Sequence, residues 1–380
     1  MPGEGFLRRQ DRRTGKGPVM LLLLGCLLVA SRAQPAAPTV FSFEDDAATT
    51  GWTASAPAAA LSITREPQLV RHGKGALLCS YAAAPGAPLS LARTDLDVAE
   101  AVSLSLSLKA SSQFPLVLRL AEKDGSVYQL FVTCLPSVWC DVAVPLTDAQ
   151  LEDGSADENR RLDADQLTGL TLQSLANMPG EMADLFGTQT GSQTLVLDDL
   201  AFSTEAVPSH SQAEAGKVPV DGFDEATLYL LPVGGAELSR VPGHTGAAPS
   251  AVGIRFAFIP AGARAWPGIV APVGHLNLAD AKSLRLRVRS LGPLRFHVLV
   301  EEQDGSRYET RAELPTGGEW LAKDLRLSDF RLDPTRQDEN GVLDADQLRV
   351  VVIVADCFNA LLDDTAHSQF AVDDILFLGE

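Results

Sequence analysis

Asp157-Glu158-Asn159-Arg160-Arg161-Leu162-Asp163-Ala164-Asp165-Gln166-Leu167 returns as Asp338-Glu339-Asn340-Gly341-Val342-Leu343-Asp344-Ala345-Asp346-Gln347-Leu348, with nine of eleven positions identical at an offset of 181. Matches continue outward in nearly the same register. Asp124-Gly125-Ser126-Val127-Tyr128 answers Asp304-Gly305-Ser306-Arg307-Tyr308, and Trp139 answers Trp320. At the ends, Phe43-Glu44 pairs with Phe223-Asp224, and Leu197-Asp198-Asp199-Leu200 with Val372-Asp373-Asp374-Ile375. So many collinear matches mean one module written twice. The copies run over about 38–203 and 218–380, and the polar, turn-rich stretch 204–217 reads as a linker.

Inside each copy the dominant period is two. Ser103-Leu104-Ser105-Leu106-Ser107-Leu108 alternates strictly, as does Leu284-Arg285-Leu286-Arg287-Val288-Arg289. Short alternating runs between Gly, Pro and Asp turns, with no long amphipathic helix, predict an all-β chain. The expected architecture is two tandem antiparallel β-sandwiches. A single helical turn capped by Asp163 or Asp165 is expected before one strand of the first copy.

Residues 1–33 stand apart. Arg8, Arg9, Arg12, Arg13 and Lys16 precede the apolar run Val19–Ala30, which is too short to span a bilayer, and Ser31-Arg32-Ala33 supplies small residues for cleavage. This order predicts a signal peptide, hence a secreted, periplasmic or cell-surface protein. Leu23-Leu24-Gly25-Cys26 is a loose lipobox, which would anchor the chain through a lipidated Cys26, although the apolar run continues past that cysteine.

Those residues hold six basic and two acidic groups, so a chain of net charge −18 becomes −22 without them. No basic run is left to follow a phosphate backbone, which argues against a nucleic-acid partner, and no later apolar stretch is long enough for a membrane span. Cys134 and Cys140 flank a short turn, a spacing that suits either a bridge or two buried thiols. Six scattered histidines and the lack of nucleophile-elbow, zincin or phosphate-loop motifs argue against an enzyme.

Further landmarks carry a family likeness. Phe43-Glu44 is followed by Gly51-Trp52, then Gly73-Lys74-Gly75 leads into a strand. Trp139 precedes Pro145-Leu146-x-Asp148, and the module closes on Leu197-Asp198-Asp199-Leu200. The pattern resembles galactose-binding-like jelly rolls, in particular family eleven carbohydrate-binding modules and the related domain of complex I assembly factors. It covers nearly all of the chain after residue 33, twice. The second copy departs early: it lacks the Gly-Trp pair, and Trp266 has no aromatic counterpart in the first copy.

The resemblance implies a non-catalytic protein docking on a polysaccharide or glycan surface. The alternative is a secreted structural or assembly protein that binds other proteins. An exposed aromatic on a concave face would separate the two. Tyr128, Tyr308 and Trp266 are the candidate sugar contacts, the duplicated tyrosines being either core or a stacking platform, whereas the duplicated Trp139 and Trp320 are expected in the core. Arg285, Arg287 and Arg289 lie on one side of a strand and could receive acidic sugars, or form an ordinary solvated face.

For metal, the resemblance implies that the first and last strands of a module are neighbours. Glu44, Asp45, Asp198 and Asp199 would then meet around a structural Ca2+, and so would Asp224, Glu225, Asp373 and Asp374. The competing reading has one Asp of each pair in solvent and the other on backbone amides. The turns Asp157–Asp165 and Asp338–Asp346 are acidic but lack the EF-hand spacing.

Overall fold

The structure, a computed structural model, describes residues 39–211, 216–223, 227–246, 249–256, 266–290, 294–315, 317–356 and 368–379. The expected signal peptide with Cys26, the ligand candidates Asp224 and Glu225, and Cys357 lie outside them.

Alternation becomes two layers. The first half contains β1 (Thr39–Phe41), β2 (Trp52–Ser55), β3 (Ala60–Thr64), β4 (Ala76–Ala83), β5 (Ser90–Thr94), β6 (Ser103–Ala110) and β7 (Phe114–Glu122). It continues with β8 (Val127–Cys134), β9 (Trp139–Pro145), β10 (Gln150–Leu151), β11 (Leu167–Ser174), a short helix α1 (Glu181–Phe186) and β12 (Gly191–Ser203). Along β6, Leu104, Leu106 and Leu108 are buried in the core. One sheet has the order β3-β4-β12-β6-β9 with β1 also on β12, and its partner sheet has β10-β8-β7-β11-β5-β2. Each sheet turns one face inward, and a single cluster of Leu, Phe and Val fills the space between them.

The second half repeats this strand for strand. Its members are β13 (Lys217–Asp221), β14 (Leu231–Val233), β15 (Glu237–Pro242), β16 (Pro249–Phe256), β17 (Gly268–Pro272) and β18 (Ser283–Ser290). They are followed by β19 (Leu294–Glu302), β20 (Arg307–Leu314), β21 (Leu321–Arg326), β22 (Arg331–Leu332), β23 (Leu348–Ala355) and β24 (Ser368–Leu378). Adding twelve to each strand number of the first pair of sheets gives the second: β15-β16-β24-β18-β21 with β13 on β24, and β22-β20-β19-β23-β17-β14. All strand pairings among the described residues are antiparallel, so the chain is two tandem antiparallel sandwiches, as the alternation predicts. First and last strands are neighbours in each half: Thr39 faces Phe202, and Lys217 faces Leu378.

Gly268 shows how tightly β17 lies against β23. A Cβ there would stand 2.0 Å from the Ile353 carbonyl oxygen, so glycine is what lets the two backbones pair.

The two halves are packed together rather than strung on a free tether. Thr227–Leu231 is buried on both sides: Leu228 and Leu230 enter the second core, Tyr229 enters the first, and Leu231 packs with Val117 and Leu175. The Thr133 N–H donates to the Leu228 carbonyl at 2.9 Å, and its hydroxyl to the Leu230 carbonyl at 2.6 Å. The Gln113 side chain bonds the Ala236 carbonyl and the Leu238 N–H, and Arg349 pairs with Asp153 at 2.6 Å.

Cys79, Cys134 and Cys140 are buried free thiols. The Cys134 thiol is held far above its ordinary range by its hydrogen bond with Cys140 and by burial. Of the two readings of that pair, buried thiols is the one seen.

Candidate functional site

Three groups of side chains stand out. The first lies on the outward face of the sheet that holds β6 and β12, and again on its copy. β12 slips register between Asp198 and Ala201, with Asp199 at φ 51°, and Asp374 in β24 sits at φ 48°. Aspartate tolerates this left-handed conformation better than most residues. The bulge spends its carboxylates locally. Asp198 Oδ2 accepts the N–H groups of Arg71 (2.7 Å) and His72 (3.1 Å), and His72 Nδ1 meets Asp199. In the second half the His244 N–H reaches Asp373 at 2.8 Å, its Nδ1 lies 2.9 Å from the same carboxylate, and Arg287 pairs with Asp374 at 2.8 Å.

Among the described residues the first expected calcium set is not brought together, and Asp224 and Glu225 of the second lie outside them. Glu44 is occupied by the Lys74 N–H at 3.1 Å, and Asp45 caps the turn Asp46–Thr49 through the Ala48 N–H. Neither joins Asp198 and Asp199 in a ligand group among the described residues. In the second half a histidine and an arginine already pair with Asp373 and Asp374. His72 and His244 are equivalent, which the sequence alignment of the copies missed. The segment between histidine and strand is longer in the second copy.

The arginines of β18 are engaged as well. Arg285 forms a two-pronged pair with Asp324 at 2.6 and 2.7 Å, Arg287 holds Asp374, and Arg289 lies 4.8 Å from the centre of the Trp320 ring. Lys109 covers Trp139 in the same way at 5.6 Å. Both tryptophans are half-buried on the outer face under a cation, not in the core as expected.

The second group is the duplicated acidic turn. Glu122 is buried; its Oε2 accepts the Ser126 hydroxyl and its Oε1 the Asp163 N–H at 2.5 Å. Tyr128 donates its hydroxyl to Asp157, and Asn159 reaches Asp163 at 2.8 Å. Glu302, Ser306, Tyr308, Asp338, Asn340 and Asp344 repeat every one of these contacts. Tyr128 is 1% and Tyr308 3% exposed, so neither can offer a ring to a sugar. The aspartate of a Leu-Asp-Ala-Asp segment was expected to cap the following turn. A one-turn helix does follow Asp163, but the Asp163 side chain makes no capping bond. Burial pushes the carboxyls of Glu122 and Glu302 upward, against the hydrogen bonds that lower them.

The third group surrounds Trp266, one of the few large apolar side chains left 39% exposed. Its indole meets the His297 ring edge to face, with centroids 5.0 Å apart. His297 is buried between two carboxylates, Glu309 at 3.7 Å from Nδ1 and Asp356 at 3.6 Å from Nε2. Of the sequence candidates for sugar contact, Trp266 is the aromatic that reaches the surface. His297, Glu309 and Asp356 come to it from β19, β20 and the end of β23, which no local sequence pattern could signal.

Fold and site define an all-β protein of paired sandwiches with a polar, tryptophan-bearing patch. No protein-family model matches the chain, and no curated protein matches it. Among solved structures it is similar to the family 11 carbohydrate-binding module of the cellulosomal cellulase Lic26A-Cel5E of Clostridium thermocellum, at 17% identity and TM-score 0.32 over 44% of this chain and 97% of that one. It is also similar to the tandem family 22 carbohydrate-binding modules of Paenibacillus barcinonensis Xyn10C, at 14% identity and TM-score 0.30 over 92% and 100%. An exo-beta-agarase matches at 12% identity and TM-score 0.34, over 46% of this chain and 25% of its own. Among the described residues no helix is long and apolar enough to cross a membrane.

Proposed function

We propose that this is an exported, non-catalytic protein that binds a polysaccharide or glycan surface through the Trp266 patch of the second sandwich. The observation that carries the reading is an exposed indole beside His297, Glu309 and Asp356. Sugars are held by such pairings: an aromatic face covers the apolar side of a pyranose ring, and nearby polar groups take its hydroxyls. Export rests on the order of residues 1–33, and a binding role without catalysis on the carboxylates of the acidic turns being committed to internal hydrogen bonds.

The engaged arginines of β18 weigh against their serving as the glycan contact. Arg285→Ala is expected to change stability by no more than about 1 kcal/mol, the range of exposed ion pairs, and Arg287→Ala, which strands the part-buried Asp374, by more; both leave glycan binding unchanged. Trp266→Ala should weaken binding about tenfold or more, as loss of an aromatic anchor does, while the protein remains folded. The measurement is titration of the whole chain with neutral and acidic polysaccharides. No binding to either class, or binding indifferent to Trp266→Ala, would remove the proposal; dependence on Arg285 and Arg287 instead would move the site to β18.

A further inference from the structure

Asp148, His210 and His275 meet where the two halves join. Asp148 comes from the turn after β9, His210 from the segment connecting the halves, and His275 from the turn after β17. A carboxylate oxygen and one nitrogen of each histidine lie within 4.8 Å of one another, and Asp148 Oδ2 is 3.8 Å from His210 Nδ1. Asp148 and His210 side chains are only 9% and 11% exposed. The His210 Nδ1 atom is buried without a hydrogen-bond partner, although the ring is clamped by stacking on Tyr229 at 3.9 Å.

We propose that these three residues form a binding site for a divalent transition metal of the zinc type, which ties the two sandwiches together. Two imidazoles and one carboxylate are a common donor set for zinc, bound at about 2.0–2.2 Å, and three protein ligands leave a position for water. Tetrahedral ligands at that distance stand about 3.3–3.6 Å apart, so the observed spacing needs only a small inward movement of the side chains. Supporting residues are in place. Ser209 donates to Asp148 Oδ2 at 2.6 Å, and the Gln150 amide lies 3.1 Å from His275 Nδ1. With its amide turned to present oxygen, Gln150 would fix the Nδ1–H tautomer, leaving Nε2, which lies 3.5 Å from the Ser211 hydroxyl, to exchange that contact for the metal. Burial lowers His210 to about 3 and His275 to about 4, so both are neutral at pH 7, the state that ligates. A divalent cation would also offset a buried carboxylate that burial itself destabilises.

Neither histidine has a counterpart in the other copy. That fits a site built on the single seam between the copies, rather than one inherited by each.

The test uses the purified whole chain, stripped with chelator and dialysed against Zn2+, with Co2+ as an absorbing probe. The expected result is one tightly held ion per chain, a raised melting temperature, and a visible Co2+ band of low coordination number. His210→Ala and His275→Gln should each weaken uptake by at least the roughly 10–100-fold that loss of an outer hydrogen-bond partner costs a metal site. His244→Gln, at the separate group with Asp373 and Asp374, should leave it unchanged. Absence of uptake, or uptake that survives both seam variants, overturns the proposal and leaves two neutral histidines packed in a seam. Should His210→Ala fail to fold, His275→Gln and the Co2+ spectrum of the unaltered protein still decide.

Discussion

Leu231→Asp is expected to destabilise the protein by about 3–5 kcal/mol, the cost of burying a charge without a partner. Leu231 is 3% exposed and packs on Val117 and Leu175 of the first half while β14 belongs to the second. Phe131, Phe186 and Val270 complete the apolar packing around it. Leu231→Ala should cost about 2–5 kcal/mol through transfer and cavity formation alone. The two variants separate charge from volume. The seam has a second consequence for the measurement. Because Leu228 and Leu230 fill the second core while Tyr229 fills the first, loosening this segment weakens both halves together. Denaturant unfolding of the intact chain should follow one transition, and Leu231→Asp should lower its midpoint as a whole. A midpoint that moves by less than about 1 kcal/mol, or a wild-type curve already split in two, would show that the seam contributes little.

Glu122→Ala should cost about 2–3 kcal/mol, and Glu302→Ala about the same. Each removes the acceptor of a part-buried backbone N–H, that of Asp163 or Asp344. The Ser126 and Ser306 hydroxyls keep Asp124 and Asp304 as partners, which limits the loss. Glutamine retains an acceptor oxygen, so Glu122→Gln and Glu302→Gln should cost less than either alanine variant. Their pH dependence has a definite sign. Burial raises both carboxyls in the folded state. Their favourable contribution is thus present below the unfolded glutamate value of about 4.3 and is lost as pH rises through the raised folded value. Between pH 4.5 and 7 the double glutamine variant should gain on the wild type in denaturant titrations. A gap that widens in the other direction would mean the charged form is the favoured one.

Much of this protein is fixed locally. Strict alternation in Ser103–Leu108 and Leu284–Arg289 makes a strand with one buried face, because period two is the only geometry that puts all those leucines on one side. Duplication follows from identity at matched spacing, and it extends to the twelve-strand order of each half and to the Tyr128–Asp157 and Tyr308–Asp338 bonds. Leu228-Tyr229-Leu230-Leu231 also had a readable signal. An uninterrupted apolar run of that length marks a segment covered on both faces.

What only the tertiary structure decided are the roles of side chains whose partners come from elsewhere in the chain. Alternation places Arg285, Arg287 and Arg289 on one face but is blind to Asp324, Asp374 and Trp320, which strand pairing brings to them. Adjacency of first and last strands was correct, yet Glu44 and Asp198 settled on amides of the 71–74 turn, because unsatisfied N–H groups nearby compete for carboxylates. Asp148, His210 and His275 are separated by 62 and 65 positions and meet only when one sandwich closes on the other. Sequence spacing carries information along a strand; it carries none across a seam.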